Sequence, residues 1–275
     1  MADDALHGRT TRFPLHLVVA AAHALVGLTS LTAAGLARAE IEETSLLGAG
    51  VRTRPAYDGS ESKVREAIPL VRYFGGPWFL RTSQDMLEGG LRREVRPSLH
   101  VGVQLAYEQG REVSEARLLA LHHIPDIAYG MSAGGFVEWD SKVGPTPITV
   151  LARFRQDTRL SHGAQADLRA NAGVFRGGPV EAAVFAQTSW ASSRSNAVLY
   201  GVGRDESLTT GLPSFHAGSG WQVASAGLMA TVNLLRPWEF VGTAERHWLM
   251  TTVTHSPLVE RDGAFYASLG VAYRF

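Results

Sequence analysis

The sequence predicts an all-β chain, a closed antiparallel transmembrane β-barrel of about twelve strands, with ten as the alternative. Three observations carry this. Apolar and polar side chains alternate with a period of two in segment after segment, turn residues separate the segments, and a leader of basic, apolar and then small residues precedes them.

The leader comes first. Arg9 and Arg12 stand before a long apolar run, Leu15 to Ala37, that ends in Ala37-Arg38-Ala39. This pattern predicts a secretory signal peptide over residues 1–39, cleaved between Ala39 and Glu40, with residues 40–275 forming one barrel domain. The run is also long enough to span a bilayer as an uncleaved anchor; Ala, Gly, Thr and His dilute it, and the small-residue site at its end favours cleavage. Asp3 and Asp4 are unusual in such a leader and leave the start codon open. No later stretch is apolar for long enough to cross as a helix, so the mature chain has no transmembrane helix and can span only as a closed barrel.

The strands follow in order. Leu46 to Arg54, Ala67 to Phe74 and Trp78 to Arg93 open the series; in the third the apolar parity changes, which predicts a bulge near Asp85 and Met86. "SLHVGVQLAYEQG" sets Leu99, Val101, Val103, Leu105 and Tyr107 against His100, Gly102, Gln104, Ala106 and Glu108. Asp126 to Asp140 and Pro147 to Thr158 come next. "GAQADLRANAGVFRG" and "VEAAVFAQTSW" then repeat the alternation, the second apolar face ending in Trp190. Ala197 to Val202 reads as a further strand that makes the count even. Trp221 to Leu234, Trp238 to Met250 and Phe265 to Phe275 complete the set. Turn-rich stretches such as "YDGSES", "SKVGPTP" and "TGLPSFHAGSG" fill the gaps, and no segment keeps a helical period over three turns.

A secreted sandwich also alternates, so one strand alone does not decide between the two folds. The barrel accounts for more: thin outer faces of Ala, Val and Leu, aromatic strand ends, and charges on the opposite face. By parity that inner face carries Arg52, Arg81, Glu88, Arg92, Glu108, Glu138, Arg153, Arg155, Asp167, Arg169, Glu181, Glu245 and Arg274. Both signs are present, so cross-barrel ion pairs are expected, and with them a plugged or very narrow lumen.

Composition narrows the function. Lys and Arg total 26 and so do Asp and Glu, with no basic cluster, which argues against nucleic acid as a partner. There is no Cys, which excludes disulfides, thiolate metal sites and a lipid-modified cysteine. "GMSAG" at Gly130 to Gly134 fits the nucleophile-elbow pattern, but Ser132 lies in an alternating strand with no helix behind it. An outer-membrane phospholipase would need a Ser/His/Asn set; His122, His123, His162, His216, His247 and His255 supply imidazoles, but no spacing selects a triad. In "HHIPD", His122 and His123 point to opposite sides, and no third ligand stands at fixed spacing. The expectation is a non-enzymatic protein with no catalytic residue, no metal and no cofactor.

"GAGVRTRPAYDGSES" followed by "IPLVRYFGGPWFLRT", then "LYGVGRDESLTTGLPSF", "THSPLVE" and the terminal "GVAYRF" resemble, in order, landmarks of the MipA/OmpV outer-membrane family. His255 departs from the Asp that usually precedes Ser-Pro there, which puts any acidic role at that loop in doubt. The resemblance implies the cell outer membrane of a Gram-negative bacterium. It also implies a scaffold holding a murein lytic transglycosylase near a bifunctional penicillin-binding protein. A narrow, porin-like channel for small polar solutes or drugs is the alternative. Tyr273 and Phe275 resemble the C-terminal signal read by the outer-membrane assembly machinery, which with membrane lipid completes the expected partners.

Overall fold

The computed structural model describes residues 45–83 and 86–275. The leader, the Ala39–Glu40 cleavage pair and Asp85 of the expected bulge lie outside the described residues. Among the described residues no helix is long and apolar enough to cross a membrane.

Twelve strands close into one antiparallel barrel. They are β1 (Leu46–Pro55), β2 (Lys63–Gly75), β3 (Trp78–Ser83), β4 (Met86–Arg96), β5 (Leu99–Glu108) and β6 (Gly130–Val143). The second half is β7 (Thr146–Asp157), β8 (Ala164–Gly177), β9 (Val180–Ala191), β10 (Gly220–Leu235), β11 (Trp238–Leu249) and β12 (Gly263–Arg274). Each strand pairs with its sequence neighbours, and β12 closes on β1 with Leu46 opposite Arg274 and Thr53 opposite Ala267. Closure removes the two free edges that an open sheet would present to lipid, where an unpaired amide has no water to bond.

Small residues make the closing seam thin. On the inner face, Gly48 and Gly50 of β1 lie beside Gly270 of β12. Leu70 of β2 reaches over them, so a Cβ at Gly270 would come within 2.4 Å of its Cδ1.

Two sequence expectations are corrected. The run from Trp78 to Arg93 is not one bulged strand but a hairpin, β3 and β4, with Ser83 opposite Met86. The parity change marks the reversal of chain direction, and this hairpin supplies the twelfth strand. Ala197 to Val202 is not a strand: Ser193–Tyr200 forms a helix whose N-cap, Ser192, accepts a hydrogen bond from the Ser195 amide at 3.3 Å. The bulges that do occur interrupt the register at Glu94/Arg96, Gly173/Phe175, Trp221/Val223 and Val232/Leu235.

The two ends of the barrel differ. One carries two-residue turns after β2, β4, β6, β8 and β10. The other carries the long connections, with helices α1 (Arg117–Leu121), α2 (Ser193–Tyr200), α3 (Arg204–Thr210) and α4 (Thr251–Thr254). Each is shorter than three turns, too short for a period of 3.6 to stand out in the sequence.

The outer wall is apolar. Val51, Val103, Phe154, Phe265 and Leu269 are each more than half exposed. Trp78, Trp139, Trp238 and Tyr73 lie toward the short-turn end, and Tyr107, Tyr129 and Trp221 toward the loop end, the two girdles expected where a barrel meets the bilayer interfaces.

Candidate functional site

Arg153 of β7 donates to Glu88 of β4 at 2.7 Å and to Asp167 of β8 at 3.0 Å. Arg81 of β3 donates to the other oxygen of Glu88 at 2.6 Å and to Glu138 of β6 at 2.7 Å. Arg155 of β7 joins Asp167 at 3.1 Å and pairs with Glu108 of β5. Strands β4 and β7, like β3 and β6, are not neighbours in the sheet, so these bonds cross the interior. Arg153 and Glu88 side chains have no solvent exposure. Such charges are tolerable out of water only when each has its partner, and here every carboxylate faces at least two guanidinium or hydroxyl groups, Asp167 three.

A second cluster lies nearer the loop end. Arg52 and Arg54 of β1 both bind Glu66 of β2, and Gln109 bridges Arg52 and Glu66 at 3.1 and 3.0 Å. Neither Arg54 nor Glu66 was expected from the sequence to line the lumen. Glu66 fell outside because β2 begins at Lys63, four residues earlier than the apolar run from Ala67; the parity Val64, Glu66, Ile68 was the available signal.

Four further expected charges lie around these clusters. Arg92 lies over the Phe74 ring at 4.3 Å and 3.8 Å from Glu138, and Arg169 lies over Phe185 at 4.0 Å and donates to Asn171. Glu181 pairs with Arg176 at the β8–β9 turn, and Arg274 pairs with Glu239 at 2.5 Å. Toward the short-turn end, Phe74, Phe79, Phe136 and Leu151 pack into an apolar plug.

Above the clusters the long loops close the loop end. Ala56 of the β1–β2 loop, Leu119 and Ile124 of the β5–β6 loop, Val202 of the β9–β10 loop and Leu258 of the β11–β12 loop form one buried core. Ser256 donates to the Tyr200 carbonyl at 2.6 Å, Tyr57 to that of Leu258 at 2.8 Å, and Arg111 to that of Leu199 at 2.7 Å. Burial, with Glu260 near by, pushes the Tyr57 hydroxyl up to about 12, and burial also lowers the Arg111 guanidinium. The segments "RPAYDGSES", "LYGVGRDESLTTGLPSF" and "THSPLVE", far apart in sequence, thus meet in one cap.

Asp58 ties this cap to the wall. Its carboxylate meets His247 Nδ1 of β11 at 3.1 Å and accepts from the Tyr266 hydroxyl of β12 at 2.8 Å. His247 stacks on Tyr266 with ring centroids 4.1 Å apart, and its Nε2 lies 3.0 Å from Glu245. Burial pushes the Asp58 carboxyl up, but His247 and the bonds from His247 and Tyr266 more than offset this and hold it below the usual carboxylate range.

Ser132 lies inside β6, which runs on past it as strand, and donates to Glu108 at 2.5 Å. His122 Nδ1 meets the Thr210 carbonyl at 2.8 Å, within the cap. Among the described residues one group has donors close enough to hold a metal, His100, Glu138 and Asp140 near the short-turn end. Its carboxylates are engaged: Glu138 by Arg81 and Asp140 by the Thr149 hydroxyl at 2.7 Å. Tyr273 faces outward with its ring edge-on to Trp238 at 5.4 Å, and the exposed Phe275 donates its amide to the Ser45 carbonyl at 3.1 Å.

The family model for MltA-interacting protein MipA matches residues 47–275, the barrel from the second residue of β1 onward together with its cap. The chain belongs to the MipA family. Proteins called MltA-interacting protein from Escherichia coli (strain K12) and Shigella flexneri are each 27% identical over 256 residues, covering 91% of this chain and 97% of theirs. Solved barrels similar to this MipA-family fold include LpxR from Salmonella typhimurium, at 11% identity and a TM-score of 0.44, covering 84% of this chain and all of that one. The translocator domain of the autotransporter NalP from Neisseria meningitidis, at 13% identity and a TM-score of 0.44, covers 94% of this chain and 96% of its own.

Proposed function

We propose that this protein is a non-enzymatic anchor in the cell outer membrane that holds peptidoglycan-remodelling enzymes at its periplasmic, short-turn rim. The observation that carries the reading is the filled interior. Arg153 and Glu88 meet across the lumen at 2.7 Å beneath a packed cap, a construction suited to a rigid platform rather than to a conduit. The names of the Escherichia coli and Shigella flexneri relatives, MltA-interacting protein, support a lytic transglycosylase as the partner. The reading extends to a bifunctional penicillin-binding protein as a second enzyme held near it.

A photo-crosslinking residue placed in the short turns, at Pro145 or Arg236, tests this in intact cells. The expected capture is a periplasmic cell-wall enzyme; capture of none removes the scaffold reading. A recess of about 130 Å³ at the loop end, lined by Glu108, Ser132, Arg155 and Ser195 among others, favours the second reading, a narrow route for small polar solutes. Liposome swelling with such solutes separates the two.

A further inference from the structure

The outward-facing strand positions hold a charge pattern that the interior does not explain. Positions alternating with the ion-paired inner face carry no Asp or Glu among the described residues, and their few charges are all basic. At the loop end these are Lys63 and Arg65 of β2 and Arg246 of β11, all exposed. None of the three makes a side-chain hydrogen bond or ion pair within the described protein. A cation held against an apolar wall without a counter-charge needs one from its surroundings, and at a bilayer surface that is an anionic headgroup.

The three cations belong to one patch. Lys63 lies opposite Pro55 and Arg65 opposite Thr53 on β1; Thr53 lies opposite Ala267 on β12; and Arg246 lies opposite Phe265, two residues from Ala267. They therefore flank the closing seam, separated by three strand spacings, roughly 14 Å. Between them the wall is shallow, with Thr53, Ala67, Ala244 and Ala267, and just below it turns apolar, with Val51 64% and Leu269 70% exposed. Arg246 also turns toward the rim: a Cβ on Gly263, nearer the loops, would lie 2.6 Å from its Nη2. The glycine leaves room for the guanidinium to climb to headgroup level, as long basic side chains do at an interface.

We infer that this patch binds a phosphorylated glycolipid of the leaflet at the loop end. Its acyl chains lie along Val51 and Leu269, and two separated phosphates meet Lys63 and Arg65 on one side and Arg246 on the other. The inference rests on the outer-membrane location proposed above, but its test does not.

Native mass spectrometry of the purified, folded barrel would compare retention of diphosphoryl lipid A, its monophosphoryl form and phosphatidylethanolamine. The expected order is that one, with K63Q/R65Q/R246Q lowering affinity for the diphosphoryl lipid on the order of a hundredfold and R246Q alone about fivefold. Arg93→Gln, outward-facing near the short-turn end, should change nothing. Should the triple variant fail to show heat-modifiable migration, the single variant decides. Wild-type retention in the folded variants, equal retention of lipid without phosphate, or displacement by inorganic phosphate at lipid-equivalent concentration would each overturn the assignment. Recovery of the protein outside the outer-membrane fraction, with lipid binding intact, would instead overturn only the location.

Discussion

Arg153 of β7 and Glu88 of β4, on strands that do not touch, meet across the barrel at 2.7 Å with both side chains fully buried. Arg81 and Asp167 complete the chain on either side. Replacing Arg153 by Met takes one guanidinium from each of two buried carboxylates, leaving Glu88 to Arg81 and Asp167 to Arg155; it is expected to destabilise the barrel by about 3–5 kcal/mol, whereas swapping a whole group of partners for apolar side chains costs far less. Urea titration followed by heat-modifiable migration measures both.

The cap depends on shape. Leu258 and Val202 are 1% and 0% exposed at the centre of the four-loop core. Leu258→Ala should cost about 2–5 kcal/mol of cap stability and release the β9–β10 connection while the wall stays folded. Limited proteolysis should then cut between Ser192 and Gly220 with the barrel core intact; unchanged resistance would show that the loops hold without this core.

Asp58 makes the cap acid-sensitive in a defined direction. Its carboxyl is held below the ordinary value of 3.8, so its contribution is fully present above pH 3.8 and is lost as pH falls through the lowered value. Wild-type cap protection should therefore persist down to about pH 3.8 and fail only below it. Asp58→Asn should lose that acid step and show weaker protection near neutrality. Proteolysis by an acid-tolerant protease across pH 2 to 7 is the measurement.

Much of this was legible because a barrel strand writes its two faces in alternate residues. From Leu99 to Glu108, side chains with no chemistry in common, such as His100 and Glu108, share a face because of the pleat, and the parity survives any loop. The reversal at Ser83 and Met86 was harder: a tight hairpin and a bulge both flip parity, and the pattern cannot tell them apart. The cap was not legible at all. Asp58 and His247 meet over a separation of 189 residues, and helices of four to eight residues follow their N-caps and their packing rather than a period.

The terminal face carries a separate prediction. Tyr273 and Phe275 are both exposed, Tyr273 edge-on to Trp238. If this pair is read during assembly, Phe275→Ala lowers the membrane-inserted fraction without changing the unfolding midpoint of the molecules that do insert. Pulse-labelling with separation of folded and unfolded forms checks it; equal insertion kinetics would deny these residues that role.

Planar-bilayer recording of the purified, folded barrel tests the central claim, a lumen closed by its own ion pairs and cap, most directly. The filled interior predicts no opening of general-porin size at any holding potential the bilayer survives. Stable wild-type conductance steps of that size would contradict the platform reading and make the transport reading the better one.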